Sequence, residues 1–106
     1  MGLTKDKRLG FHQLLVDTLG EGYKVYFQPP ETLKIDKPCV IYRRRYLESS
    51  NADNIDYKRD RQYTVTLVSR DPDDEAVDKL DSLPYSRYVS HSVVDNLNQD
   101  TFEIYY

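Results

Sequence analysis

Three side chains have the chemistry to bind a transition metal or serve as a nucleophile: His12, His91 and Cys39, the only histidines and the only cysteine in the chain. Zinc sites pair their ligands at spacings such as C-x-x-C or H-x-x-x-H, and neither occurs here. A cysteine nucleophile needs a base and an oxyanion pocket, and the sequence around Cys39 supplies neither. Cys39 therefore reads as a small buried thiol in a strand, and the histidines as structural or surface residues. The acidic run Asp71-Pro72-Asp73-Asp74-Glu75 raises calcium. Ala76 stands where such a loop needs glycine, however, and Ser82 where it needs a bidentate glutamate. A helix start enriched in acids accounts for the same residues. With no glycine-rich phosphate loop and no serine–histidine–acid arrangement, the sequence argues for no enzyme, no metal and no cofactor.

The residues that suggest binding are basic and aromatic. Arg43-Arg44-Arg45 lies on one side of a polar excursion, and Lys58, Arg59 and Arg61 lie on the other, with Tyr42, Tyr46, Tyr57 and Tyr63 interleaved. Paired strands would bring these side chains together, the one feature that resembles a nucleic-acid surface. The alternative is that the arginines meet carboxylates such as Glu48, Asp56 and Asp60, on this chain or a neighbour. A formal net charge of −3 favours protein–protein contacts.

These residues must be positioned by a sheet with helices on it. Residues 61–83 read RQYTVTLVSRDPDDEAVDKLDSL. Tyr63, Val65 and Leu67 alternate with Gln62, Thr64 and Thr66, the period of a half-buried strand. Asp71 then suits a helix cap and Pro72 the first helical position, and Ala76, Val77, Leu80 and Leu83 form an apolar stripe closed by Pro84. Upstream, Thr4 is placed to cap a first helix with Phe11, Leu14, Leu15 and Leu19 on one face. Gly20 and Gly22 end it, one of them left-handed, and Gly10 weakens its first turn. Residues 23–28 form a short strand stopped by Pro29 and Pro30, and 31–37 a loop. Residues 39–47 read as a strand in which neither face is cleanly apolar. Residues 48–60 are a polar excursion, 86–94 a further segment before the turn Asp95-Asn96-Leu97-Asn98, and 101–106 a last strand. The expected fold is α+β in the order α-β-β-β-α-β-β, a mostly antiparallel sheet with two helices packed on it.

At 106 residues the chain is expected to form one domain spanning 1–106, with room for a single core. It has no apolar run near the roughly 20 residues needed to cross a bilayer, and its N-terminus turns charged at once with Lys5, Asp6, Lys7 and Arg8. A single cysteine fits a reducing compartment. Ten tyrosines without a tryptophan is the unusual count: a core this small cannot easily partner ten buried hydroxyls, so several are expected at the surface or between chains.

Residues 37–106 resemble the tail-terminator or tail-completion proteins of long-tailed, siphovirus-like bacteriophages. The resemblance is carried by Lys37-Pro38-Cys39-Val40-Ile41-Tyr42-Arg43-Arg44 and Tyr63-Thr64-Val65-Thr66-Leu67-Val68-Ser69-Arg70-Asp71-Pro72-Asp73. Leu83-Pro84, then Asp95-Asn96-Leu97-Asn98 ahead of Phe102, and the final Tyr105-Tyr106 complete it. It implies a structural virion protein that assembles as a ring, typically a hexamer, on the head-proximal end of the tail tube. There it stops tube growth and offers a surface for joining the head. The implied partners are other copies of the chain, the tail tube protein and a head-side connector or neck protein. DNA passes through without specific binding, no membrane is involved, and assembly takes place in the bacterial cytoplasm. A head–tail connector or head-closure protein is the alternative within the same particle, and a small nucleic-acid-binding module is the alternative from another class. The residues expected at contacts are Tyr42, Arg43, Arg44, Arg45, Tyr46, Tyr57, Arg59, Arg61, Tyr105 and Tyr106.

Overall fold

Phe11, Leu15 and Leu19 recur at the spacing that stacks side chains along one helix face, and all three are buried. They belong to α1 (Leu3–Leu19) in a computed structural model that describes residues 3–30, 34, 37–45 and 62–106. The helix already includes Leu3, so Thr4 lies within it rather than ahead of it. At its end both glycines are left-handed, Gly20 at φ 77° and Gly22 at φ 96°, and the Gly20 amide donates to the Val16 carbonyl at 2.9 Å. Gly10 has a tertiary reason: a Cβ there would stand 2.8 Å from the Tyr106 hydroxyl, so the missing side chain makes room for the Tyr106 ring.

The chain then forms β1 (Lys24–Phe27), β2 (Cys39–Arg44), β3 (Gln62–Ser69), α2 (Ala76–Asp81), β4 (Ser86–Val94) and β5 (Leu97–Tyr105), the α+β order read from the sequence. One five-stranded sheet runs β1-β2-β3-β5-β4. All its pairings are antiparallel except β1 with β2, which is parallel, so the sheet is mixed. The last two strands join through Asp95 and Asn96, both at positive φ, a two-residue turn whose twist matches the strands it connects. β5 accordingly begins at Leu97, earlier than the alternation of residues 101–106 implies.

Alternation decides what each face of the sheet carries. Val40 and Tyr42 of β2, Tyr63, Val65 and Leu67 of β3, and Phe102 and Ile104 of β5 point to the helices and form the core with Phe11, Leu15, Leu19, Ala76 and Leu80. The opposite face carries Ile41, Arg43, Thr64, Thr66, Thr101 and Glu103. Leu80 sits on the short α2, which can shift to fill part of a cavity, so Leu80→Ala is expected to cost about 2–3 kcal/mol in chemical denaturation. An unchanged midpoint would mean that α2 does not seal the core. No helix among the described residues is long and apolar enough to cross a membrane.

Residues 71–75 depart from the expected cap. Asp71 accepts its hydrogen bond from the Asp73 amide at 2.9 Å, closing a local turn, and α2 begins only at Ala76. The acceptor at the helix start is Asp74, which takes the Ala76 amide at 2.9 Å on Oδ1 and the Ser69 hydroxyl at 2.8 Å on Oδ2. Oδ1 also takes a short hydrogen bond from the Tyr23 hydroxyl. This one carboxylate therefore ties together the end of β3, the start of α2 and the residue preceding β1.

Candidate interaction surface

Tyr42 is not a contact residue. It is fully buried, in edge contact with Phe11 (ring centroids 5.5 Å apart) and with Tyr63 (5.9 Å), and its hydroxyl is hydrogen-bonded to His12 Nδ1 at 2.8 Å. The physical reason is parity: strand alternation puts Tyr42 on the helix side with Val40. Burial, and then the nearby Arg8 guanidinium, hold His12 below its usual pKa, which favours a neutral ring able to accept the Tyr42 proton. Tyr46, Tyr57, Arg59 and Arg61 lie outside the described residues, as does the excursion 48–60. Tyr106 is partly spent within the chain itself, its ring 5.5 Å from that of Phe11. Arg44 is exposed at the end of β2, and its amide donates to the Gln28 side chain at 3.2 Å.

Arg43, Arg45 and Tyr105 do come together, because the register runs two rows across the sheet on the face away from the helices. The first row is Arg43, Thr64, Glu103 and Arg87, neighbours in turn on β2, β3, β5 and β4. In the second, the Arg45 amide donates to the Gln62 carbonyl at 2.8 Å, Gln62 lies opposite Tyr105, and the Tyr105 amide donates to the Tyr85 carbonyl at 3.2 Å. Arg45, Gln62, Tyr85, Arg87, Glu103 and Tyr105 line a cleft of about 450 Å³. Glu103 pairs with both arginines, one guanidinium on each carboxylate oxygen. The carboxylate is only 12% exposed, whereas the side chains of Arg45 and Arg87 are 48% and 74% exposed. Tyr85 stands at the rim, 79% exposed and at φ 59°, a left-handed backbone rarely tolerated by a bulky residue. Exposed pairs of this kind contribute little to folding. Replacing Arg43 and Arg45, the two arginines that share this face, together by alanine should therefore leave thermal unfolding within a few degrees of wild type while impairing any contact made through it. A large loss of monomer stability would show the arginines to be structural.

Beside the cleft runs the free edge of the sheet. Among the described residues β4 pairs only with β5, and Ser86 is the only one of its nine residues that is not exposed. Tyr88, Val89, Val93 and Val94 are large and open to solvent, with Tyr85 just ahead of them. A long edge with large apolar side chains presents backbone groups that invite another chain, and β4 opposes this with the exposed charge of Arg87 and a register shift between Tyr88 and Ser90. The buried Asp100 of β5 anchors the strand by accepting hydrogen bonds from the Tyr88 hydroxyl and from His91 Nδ1, each at 2.7 Å. That hydrogen bond, with some desolvation and the carboxylate's charge, pushes the Tyr88 hydroxyl up to about 12.

The residues with metal or nucleophile chemistry are dispersed. His12 is on α1, His91 on β4 and the buried Cys39 at the start of β2, and no group of three or more ligating side chains occurs among the described residues. Asp74 is held in a carboxylate role: burial opposes its ionisation, but the hydrogen bonds from Tyr23, the Ala76 amide and Ser69 prevail and lower its pKa. Arg87, Glu103, Tyr85 and Gln62 were not legible as site residues, because only strand pairing brings them to Arg45. In the sequence, Glu103 did show as a charged residue in an alternating strand opposite Phe102 and Ile104, which is the weak signal available. No family model matches the chain, and no curated protein matches it.

Proposed function

We propose that the chain is a structural assembly subunit, a tail-terminator-like protein that forms a ring at the head-proximal end of a phage tail tube and carries out no reaction. The observation that supports this reading best is the free β4 edge, whose large apolar side chains are left open next to an arginine–tyrosine cleft. Tyrosine and arginine supply large contact area and bonding at modest entropic cost, and they dominate the energetics of protein interfaces. A closed ring needs two different surfaces on each subunit. The edge with its cleft offers one, and the outer side of the helix layer offers another.

The test is electron microscopy of tails assembled with and without this chain. Tubes of unregulated length, or tails unable to join heads when it is absent, support the proposal. Normal tails that join heads without it overturn the proposal. Tubes of correct length that still fail to join heads would move the protein from the tail end to the connector.

A further inference from the structure

We infer that the Arg45–Arg87 cleft is a carboxylate-binding slot, and that its occupant is the acidic outer side of α2 on a neighbouring copy of this chain. The inference rests on the ring reading above and specifies the contact within it. The cleft has the composition of an anion site. Glu103 holds two guanidiniums in fixed positions but offers one negative charge against two positive ones. Each guanidinium has more donors than a single carboxylate oxygen can use, and both are open to solvent on their outer sides. Arg43, exposed in the same row, adds positive charge, and the exposed Tyr85 gives the slot an aromatic wall. A planar carboxylate fits such a fork in two-point fashion.

The matching surface is on the other layer of the same subunit. Ala76 and Leu80 turn α2 onto the sheet, which leaves Asp78 and Asp81 exposed on its outer side. Glu75, exposed just before the helix, pairs with Lys79, so Asp78 and Asp81 carry the net negative charge. The helix packs over β4 and β5, the two strands whose opposite face carries Arg87 and Glu103. The two layers thus present opposite charge at the same edge of the molecule. Bringing the sheet side of one copy against the helix side of the next joins unlike surfaces, the heterologous contact a ring requires. Nucleic acid is the poorer occupant. Glu103 would face the phosphates, and the chain as a whole carries a net charge of −3.

Charge exchange tests the assignment. Sedimentation velocity is run on the full chain, in low and high salt, for wild type, for Arg87→Glu, for the double variant Asp78→Arg/Asp81→Arg, and for an equal mixture of the two variants. Asp78 and Asp81 are exposed, so their double variant should melt with wild type. Arg87→Glu sets a second carboxylate beside Glu103 and should melt a few degrees lower while remaining folded. Like charges then face each other in either variant alone, and self-association is expected to weaken at least ~30-fold. In the mixture every contact again joins opposite charges, and association should return to near the wild-type level. Variants that associate as well as wild type, or a mixture that restores nothing, overturn the slot and leave the ring reading standing. A wild-type chain that stays monomeric both in solution and on purified tail tubes also overturns the slot, while the microscopy above judges the ring separately. Binding of a short DNA duplex that depends on Arg45 and Arg87, without binding of a second copy, assigns the cleft to nucleic acid instead.

Discussion

Phe11→Ala is expected to destabilise the protein by about 3–5 kcal/mol, the range for removing a large side chain from a packed core. Phe11 is fully buried at the centre of an aromatic cluster: it stacks on Tyr63, with centroids 4.4 Å apart and planes 13° apart, and meets Tyr42 edge-on. It is the side chain that fastens α1 to β2 and β3. Truncation removes the transfer free energy of the ring and the aromatic pair energies, and leaves a cavity bounded by rings that cannot collapse freely. For a domain of this size the loss corresponds to a fall in melting temperature on the order of 15 °C. Urea denaturation should show a lower midpoint with an unchanged slope. A loss under about 1 kcal/mol would mean that α1 is not seated on the sheet through this ring.

The second large effect is expected at Asp74. Asp74→Ala removes one acceptor from the Tyr23 hydroxyl, the Ser69 hydroxyl and the Ala76 amide. Leaving buried donors without partners is expensive, and the combined cost is expected to be about 3 kcal/mol. Acid adds a second signature. The folded-state pKa of Asp74 lies below its ordinary value of 3.8, so the carboxylate's contribution is fully present above that value and is lost as pH falls through the folded-state pKa. Asp74→Asn keeps an acceptor for the Ala76 amide while removing the charge. It should cost less than Asp74→Ala and flatten the acid limb of the stability curve. A wild-type limb that Asp74→Asn leaves unchanged would place the acid sensitivity on other carboxylates.

The core side of β3 was legible because a strand with one buried face must alternate, and residues 63–67 do so, although Gln62, Val68 and Ser69 at the strand's ends are buried as well. The buried face of α1 was legible for the same reason at helical period. β2 was not, since Tyr42 and Arg44 share one parity and Ile41 and Arg43 the other. Only the register against Val65 and Tyr63 puts Tyr42 under the helices. The start of α2 misled because Asp71-Pro72 suits a cap locally. Asp71 instead closes its own turn, while Asp74, held by Tyr23 from across the fold, takes the helix amide.

The amino-acid order alone determined the α-β-β-β-α-β-β succession and most of the core, because periodicity and breakers act between residues close along the chain. Tertiary structure alone decided that β1 runs parallel to β2 and that β5 enters between β3 and β4. That insertion sets Arg45 and Arg87 on the single carboxylate of Glu103, partners 58 and 16 residues away in the chain. Which strand lies beside which depends on contacts between distant segments, and those leave no pattern within either one.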